Sequence, residues 1–144
     1  MRKLREQTVV ECPVEDAEAR LRVFWYARRA LDGRVRMRLH VLDREVRVEA
    51  QEGRDEQQLN DVTHVSWQPE GRTILPHFEG TLVVWGEDDP TRSFIELDGC
   101  YHSPLGAAGL VFDEAIGHQI AQATAREFLR DLKTGIEATQ GAVR

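Results

Sequence analysis

The residues best suited to chemistry gather around one stretch, from Ile95 through Gly99-Cys100-Tyr101-His102 to Asp113. Tyr101 and His102 stand side by side there, with Asp113 and His118 a short way on. A histidine within reach of a carboxylate can act as a general base near neutral pH. These residues have no recognised catalytic spacing, so the plainer reading is a capping or hydrogen-bonding role. His64, His77 and His102 form no i, i+4 pair and no His-x-His, which argues against a metal site. Gly106-Ala-Ala-Gly109 ahead of a helix resembles an anion cradle, whose free N–H groups favour phosphate. It lacks the Lys and Ser/Thr of a P-loop and the three-glycine dinucleotide pattern, so a tight strand-to-helix turn is the simpler account. Glu96 and Asp98 share a strand phase and read as solvent-facing acids opposite cross-strand arginines. Cys12 and Cys100 have no metal or CxxC spacing and read as two reduced, small apolar side chains. Neither a metal nor a cofactor is expected.

The elements that position these residues belong to a chain of 144 residues, a length that suits one domain over 1–144. With 41% hydrophobic and 31% charged residues it is not of disordered composition. No apolar run approaches the roughly 20 residues of a membrane span. The charged N-terminus has no apolar stretch behind it, so no signal peptide and a cytoplasmic location are expected. The net charge of −6 divides unevenly, about +3 in residues 1–50 and −9 beyond. An acidic chain is a poor general nucleic-acid binder. The arginines between Arg20 and Arg38 interleave with apolar residues at regular periods, as a solvated helix face and outer strand face do.

Residues 4–11 read as a strand closed by Pro13, which suits the first position of a helix. Val14, Ala17, Leu21, Phe24, Trp25 and Leu31 keep a helical period that Asp32-Gly33 ends. Val35, Met37, Leu39 and Val41 then alternate with Arg36, Arg38 and His40, a half-buried strand. Val46, Val48 and Ala50 repeat the pattern to make a hairpin. The polar run Gln51–Asp61 is expected as a loop or short helix. Further strands are expected at Val62–Gln68, Phe78–Gly86 and Ser93–Tyr101, and a helix over Phe112–Ala138. On that helix Phe112, Ile116, Ile120 and Ala123 fall on one side. Ala121, Ala125, Leu129, Leu132 and Ile136 fall roughly opposite, so the apolar stripe is expected to change sides halfway along.

Strand, helix, antiparallel meander, Gly/Pro loop and long terminal helix together resemble the helix-grip fold of the START-like, or SRPBCC, superfamily, which includes polyketide cyclase-like proteins. Gly80-Thr-Leu, Leu97-Asp-Gly-Cys-Tyr, Pro104-Leu-Gly-Ala-Ala-Gly-Leu-Val-Phe-Asp and Gly117-His-Gln-Ile-Ala with Phe128-Leu carry the resemblance. One continuous pattern, Val14–Leu31, stands where family members usually have two short helices. The resemblance implies an α+β fold, a curved antiparallel sheet of about six strands wrapped around the C-terminal helix, with an apolar cavity between them.

Three readings of function follow. The first is binding of an apolar or amphipathic small molecule, lipid- or polyketide-like. Its lining would include Met37, Leu39, Trp67, Leu82, Leu97, Tyr101, Phe112, Ile116 and Ile120, with Tyr101 and His102 at the rim. The second is a cyclase- or hydrolase-type enzyme using Tyr101 and His102 as acid/base groups. The third is a ligand-free interaction module, a homodimer included, meeting its partner through the switched helix face or through Trp85.

Overall fold

In the computed structural model, which describes residues 2–42, 44–55, 60–69, 77–102 and 114–142, eight elements follow one another. They are β1 (Arg2–Val10), α1 (Val14–Arg28), β2 (Val35–Val41), β3 (Arg44–Asp55), β4 (Asn60–Pro69), β5 (His77–Trp85), β6 (Ser93–His102) and α2 (Glu114–Ala142). All strands belong to one sheet in the order β1-β6-β5-β4-β3-β2, every neighbouring pair antiparallel. The sheet curls into a half-barrel, and α2 lies against its inner face. This is the helix-grip α+β fold.

Period-two alternation decides which face is inside. Leu39, Val48, Val65, Trp67, Phe78, Leu82, Ile95 and Leu97 point inward and are buried, while Arg36, Arg38, His40, Arg47 and His64 point outward. Two inward glycines allow the curl. Gly80 and Gly99 face each other in register. A Cβ on Gly99 would meet the Glu79 carbonyl at 2.2 Å and the Phe78 ring at 2.7 Å. No side chain fits there, so the ring of Phe78 closes over bare backbone.

Helix α1 begins one residue later than its proline suggests. Pro13 is extended (ψ 157) and stands just before the helix; its carbonyl accepts the first helical bond, from Ala17 N at 2.9 Å. Glu15 and Asp16 in the first turn and Arg28 in the last suit the helix dipole. The helix stops at Arg28, short of the expected Leu31, because Arg29 is already extended and bridges Val35 of β2. Leu31 is left in an exposed turn.

Two further expectations are corrected. Gln51–Asp61 is largely strand rather than loop or helix: β3 runs on to Asp55 and β4 begins at Asn60. The ladder is made by backbone groups, so it continues past the last apolar pair, Ala50 and Val65, into polar sequence. Helix α2, for its part, buries one continuous stripe among its described side chains. Gly117, Ala121, Thr124, Ala125, Phe128, Leu129, Leu132 and Ile136 are all buried, within about 140° of arc at 100° per residue. Counting large apolar residues misses Gly117 and Thr124. Thr124 is admitted to the core because its hydroxyl donates to the Ile120 carbonyl at 2.8 Å. Ile120 lies about 40° beyond the edge of this stripe and Ala123 on the opposite side of the helix, both half-buried; Phe112 and the side chain of Ile116, the other residues expected on that side, fall outside the described residues.

Candidate functional site

Four residues in register cross the inner face near one end of β4, β5 and β6: Val48 on β3, Trp67 on β4, Phe78 on β5 and Tyr101 on β6. Trp67 and Phe78 stack with centroids 4.0 Å apart and planes 13° from parallel. Tyr101 ends the row, its residue only 3% exposed. A buried phenol needs a hydrogen-bond partner. His118 supplies it from the early part of α2, with 2.9 Å between the phenol oxygen and Nδ1. The ring tautomer sets the direction of this bond: Nδ1 accepts from the phenol when the ring proton is on Nε2, and donates to the phenol oxygen when it carries the proton itself. The pair joins the buried Thr63 and Ser93 as polar groups on a largely apolar surface, and it can hold a ligand oxygen or pass a proton.

The pairing expected at the strand end is different. Strand alternation sends His102 to the outer face, exposed and opposite His77, while Tyr101 points inward. The two therefore cannot act on one group; Tyr101, one residue from the end of β6, is buried. The partner of Tyr101 was legible only by combining two phases. Tyr101 has the inward phase of β6, and His118 has the helical phase of Leu132 on α2.

The remaining expected residues divide by element. Leu39, Trp67, Leu82 and Leu97 are buried on the inner face; Met37 is half-buried and packs on the same core. Ile120 is half-buried on α2. Ile116 lies on α2 with its side chain outside the described residues, as Phe112, Asp113 and the Gly106–Gly109 segment are altogether. Glu96 and Asp98 face outward and both meet Arg5 of β1, at 3.6 and 3.4 Å. No group of three potential metal ligands occurs among the described residues.

Two surface grooves of mixed polarity lie elsewhere. A groove of about 480 Å³ on the outer face is lined by Arg34, Glu49, Gln51, His64, Ser66, Glu79 and Thr81. One of about 520 Å³ runs between β1 and α2, beside Glu6, Arg126, Arg130 and Lys133. Within the core, burial pushes the Cys12 thiol above its ordinary value against the opposing pull of Arg20. It is thus a poor nucleophile. Trp85 stacks on Phe94 on the outer face, centroids 4.5 Å apart, and is half-buried by that contact.

No protein-family model matches the chain, and no curated protein sequence does. Solved structures match over nearly its whole length. The Zhui aromatase/cyclase of a Streptomyces species is 18% identical with a TM-score of 0.60, over 99% of this chain and 96% of that one. A START superfamily protein from Mycobacterium smegmatis is 11% identical with a TM-score of 0.58, over 95% and 98%. The di-domain ARO/CYC protein BexL is 16% identical with a TM-score of 0.57, over 95% of this chain and 47% of that one.

Proposed function

From a START-like helix-grip fold, we propose that this protein binds an apolar or amphipathic small molecule between the inner face of the sheet and α2. The supporting observation is the Tyr101–His118 hydrogen bond, a polar pair on the largely apolar inner face beside the Trp67–Phe78 stack. A few polar groups converging on an apolar lining is the usual composition of a small-molecule site. Leu39, Trp67, Leu82 and Leu97 supply the apolar wall, with Met37 and Ile120 at its half-buried margin. Phe112 and Ile116 complete the proposed lining. The fold shared with aromatase/cyclases and a START superfamily protein makes a lipid- or polyketide-like ligand the class to test.

Native mass spectrometry of the purified protein should show a co-purifying mass of that class. A planar aromatic probe should bind saturably at one site and quench tryptophan emission. Absence of both a bound mass and saturable quenching would sink the proposal.

The same pair favours a second reading, acid/base catalysis on a bound ligand, with Tyr101 and His118 in place of Tyr101 and His102. His118→Gln, which keeps a hydrogen-bonding side chain, should retain probe binding but abolish any cyclisation measured with a poly-β-ketone substrate. Unchanged turnover in that variant would exclude the pair from the chemistry.

A further inference from the structure

The described large hydrophobic residues that stand exposed are few, and three of the four follow one another along the chain. Val23 (55% exposed) and Tyr26 (77%) lie on α1, and Leu31 stands in the turn behind it. Leu31 exposes more area than it would in an extended chain, so it projects free of its neighbours. Helix α1 is apolar on two sides. Ala17, Leu21, Phe24 and Trp25 are buried against the body of the protein. Val23 and Tyr26 lie on the opposite arc, with Arg22 at its edge. A surface helix ordinarily turns a polar face to water, so the second apolar side calls for a partner.

The charge around it says which partner. Residues 20–38 hold seven arginines against one aspartate, while Glu15, Asp16 and Glu18 stand exposed on the first half of α1, so the positive excess belongs to the end of the helix and the turn behind it. Arg22 has no acidic partner among the described residues. The guanidinium of Arg28 lies 3.7 Å over the Phe24 ring and donates to the Phe24 carbonyl. Arg29 sits 6.0 Å from the Tyr26 ring centre and pairs with Glu52, Arg34 pairs with Glu49 at 3.2 Å, and Arg36 pairs with Asp32 and, at 3.5 Å, with Glu49. These pairs are solvent-exposed and individually weak, so phosphate oxygens can replace the carboxylates.

We propose that the exposed side of α1 and the turn carrying Leu31 dock on an anionic lipid bilayer, with Leu31 and Tyr26 entering the interface and the arginines meeting lipid phosphates. A projecting leucine beside an amphipathic aromatic and a cluster of arginines matches a membrane interface, where apolar tips sink and basic heads stay with the phosphates. No described helix is long and apolar enough to cross a membrane, so the contact is peripheral. The inference goes beyond ligand binding and fails separately from it, because probe titration without vesicles reports the interior alone.

The test is flotation with vesicles of phosphatidylcholine alone and of phosphatidylcholine mixed with phosphatidylglycerol. The protein should float with the mixed vesicles only, and high salt should release it. Arg22→Gln should weaken that binding about fivefold. Tyr26→Ser combined with Leu31→Ser should weaken it about tenfold or more. All three positions are exposed, so the variants should melt with the parent protein, which circular dichroism checks. Failure to float with mixed vesicles, equal binding to both kinds, or undiminished binding by the Tyr26/Leu31 variant would each overturn the proposal. A dimer in sedimentation that the same variant dissolves would overturn it too, showing that a second copy covers this face.

Discussion

The bond between Tyr101 and His118 joins the last strand to the terminal helix, and its loss has a readable cost. Tyr101→Phe removes the hydroxyl and leaves Nδ1 of His118 without its partner, so stability should fall by about 1–2 kcal/mol. Urea denaturation measures this, and an unchanged midpoint would mean that water replaces the hydroxyl fully. Asp131 on α2 gives a pH-dependent counterpart. Burial, reinforced by Glu127 and opposed by Arg130, raises its pKa above the ordinary 3.8. A carboxyl whose folded-state pKa is raised favours folding while protonated, and that contribution is lost as pH rises through the folded value. At neutral pH the ionised group therefore opposes folding. Asp131→Asn should stabilise the protein at pH 7 by about 0.3–0.5 kcal/mol, the scale of a like-charge pair one turn apart. The gain should vanish below pH 3.8, where Asp131 is protonated in both states. Thermal melts at the two pH values test the sign; a gain that persists in acid would contradict the assignment.

Among the elements, α2 binds the fold together by its buried stripe. Phe128 is fully buried and stacks at 6.5 Å on Trp25 of α1, whereas Ile120 is half-buried beyond the stripe's edge. Phe128→Ala should cost about 3–5 kcal/mol and Ile120→Ala clearly less. Equal losses in chemical denaturation would restore the two-sided helix that apolar residues alone suggest. The two helices also meet closely at Gly135, where a Cβ would stand 2.4 Å from the Phe24 ring. That small residue brings α1 near enough to fix its inward face, which leaves Val23 and Tyr26 outside.

Across the whole molecule, the half-barrel depends on the meander from β2 to β6 being closed by β1, which pairs with β6 in register from Arg2↔Tyr101 to Val10↔Ser93. Its curl rests on the Gly80–Gly99 pair. Gly99→Ala places a methyl against the Glu79 carbonyl, a backbone atom that cannot swing aside. The cost should reach about 1–3 kcal/mol, read as a lower melting temperature, and a neutral effect would show that the sheet can open there. The strands and α1 were largely legible in the sequence because alternation and helical period are local consequences of which side chains leave water. So were the element order and the inward phase of Leu39, Trp67, Leu82, Leu97 and Tyr101. Other features depend on contacts between residues far apart in the chain. Tertiary structure alone decided that Gly117 and Thr124 are core, that polar residues 51–55 remain strand, and that Tyr101 meets His118 rather than its neighbour His102. A local pattern records which face of an element seeks the interior. What that face meets is settled only when the sheet curls and the helix is laid into it.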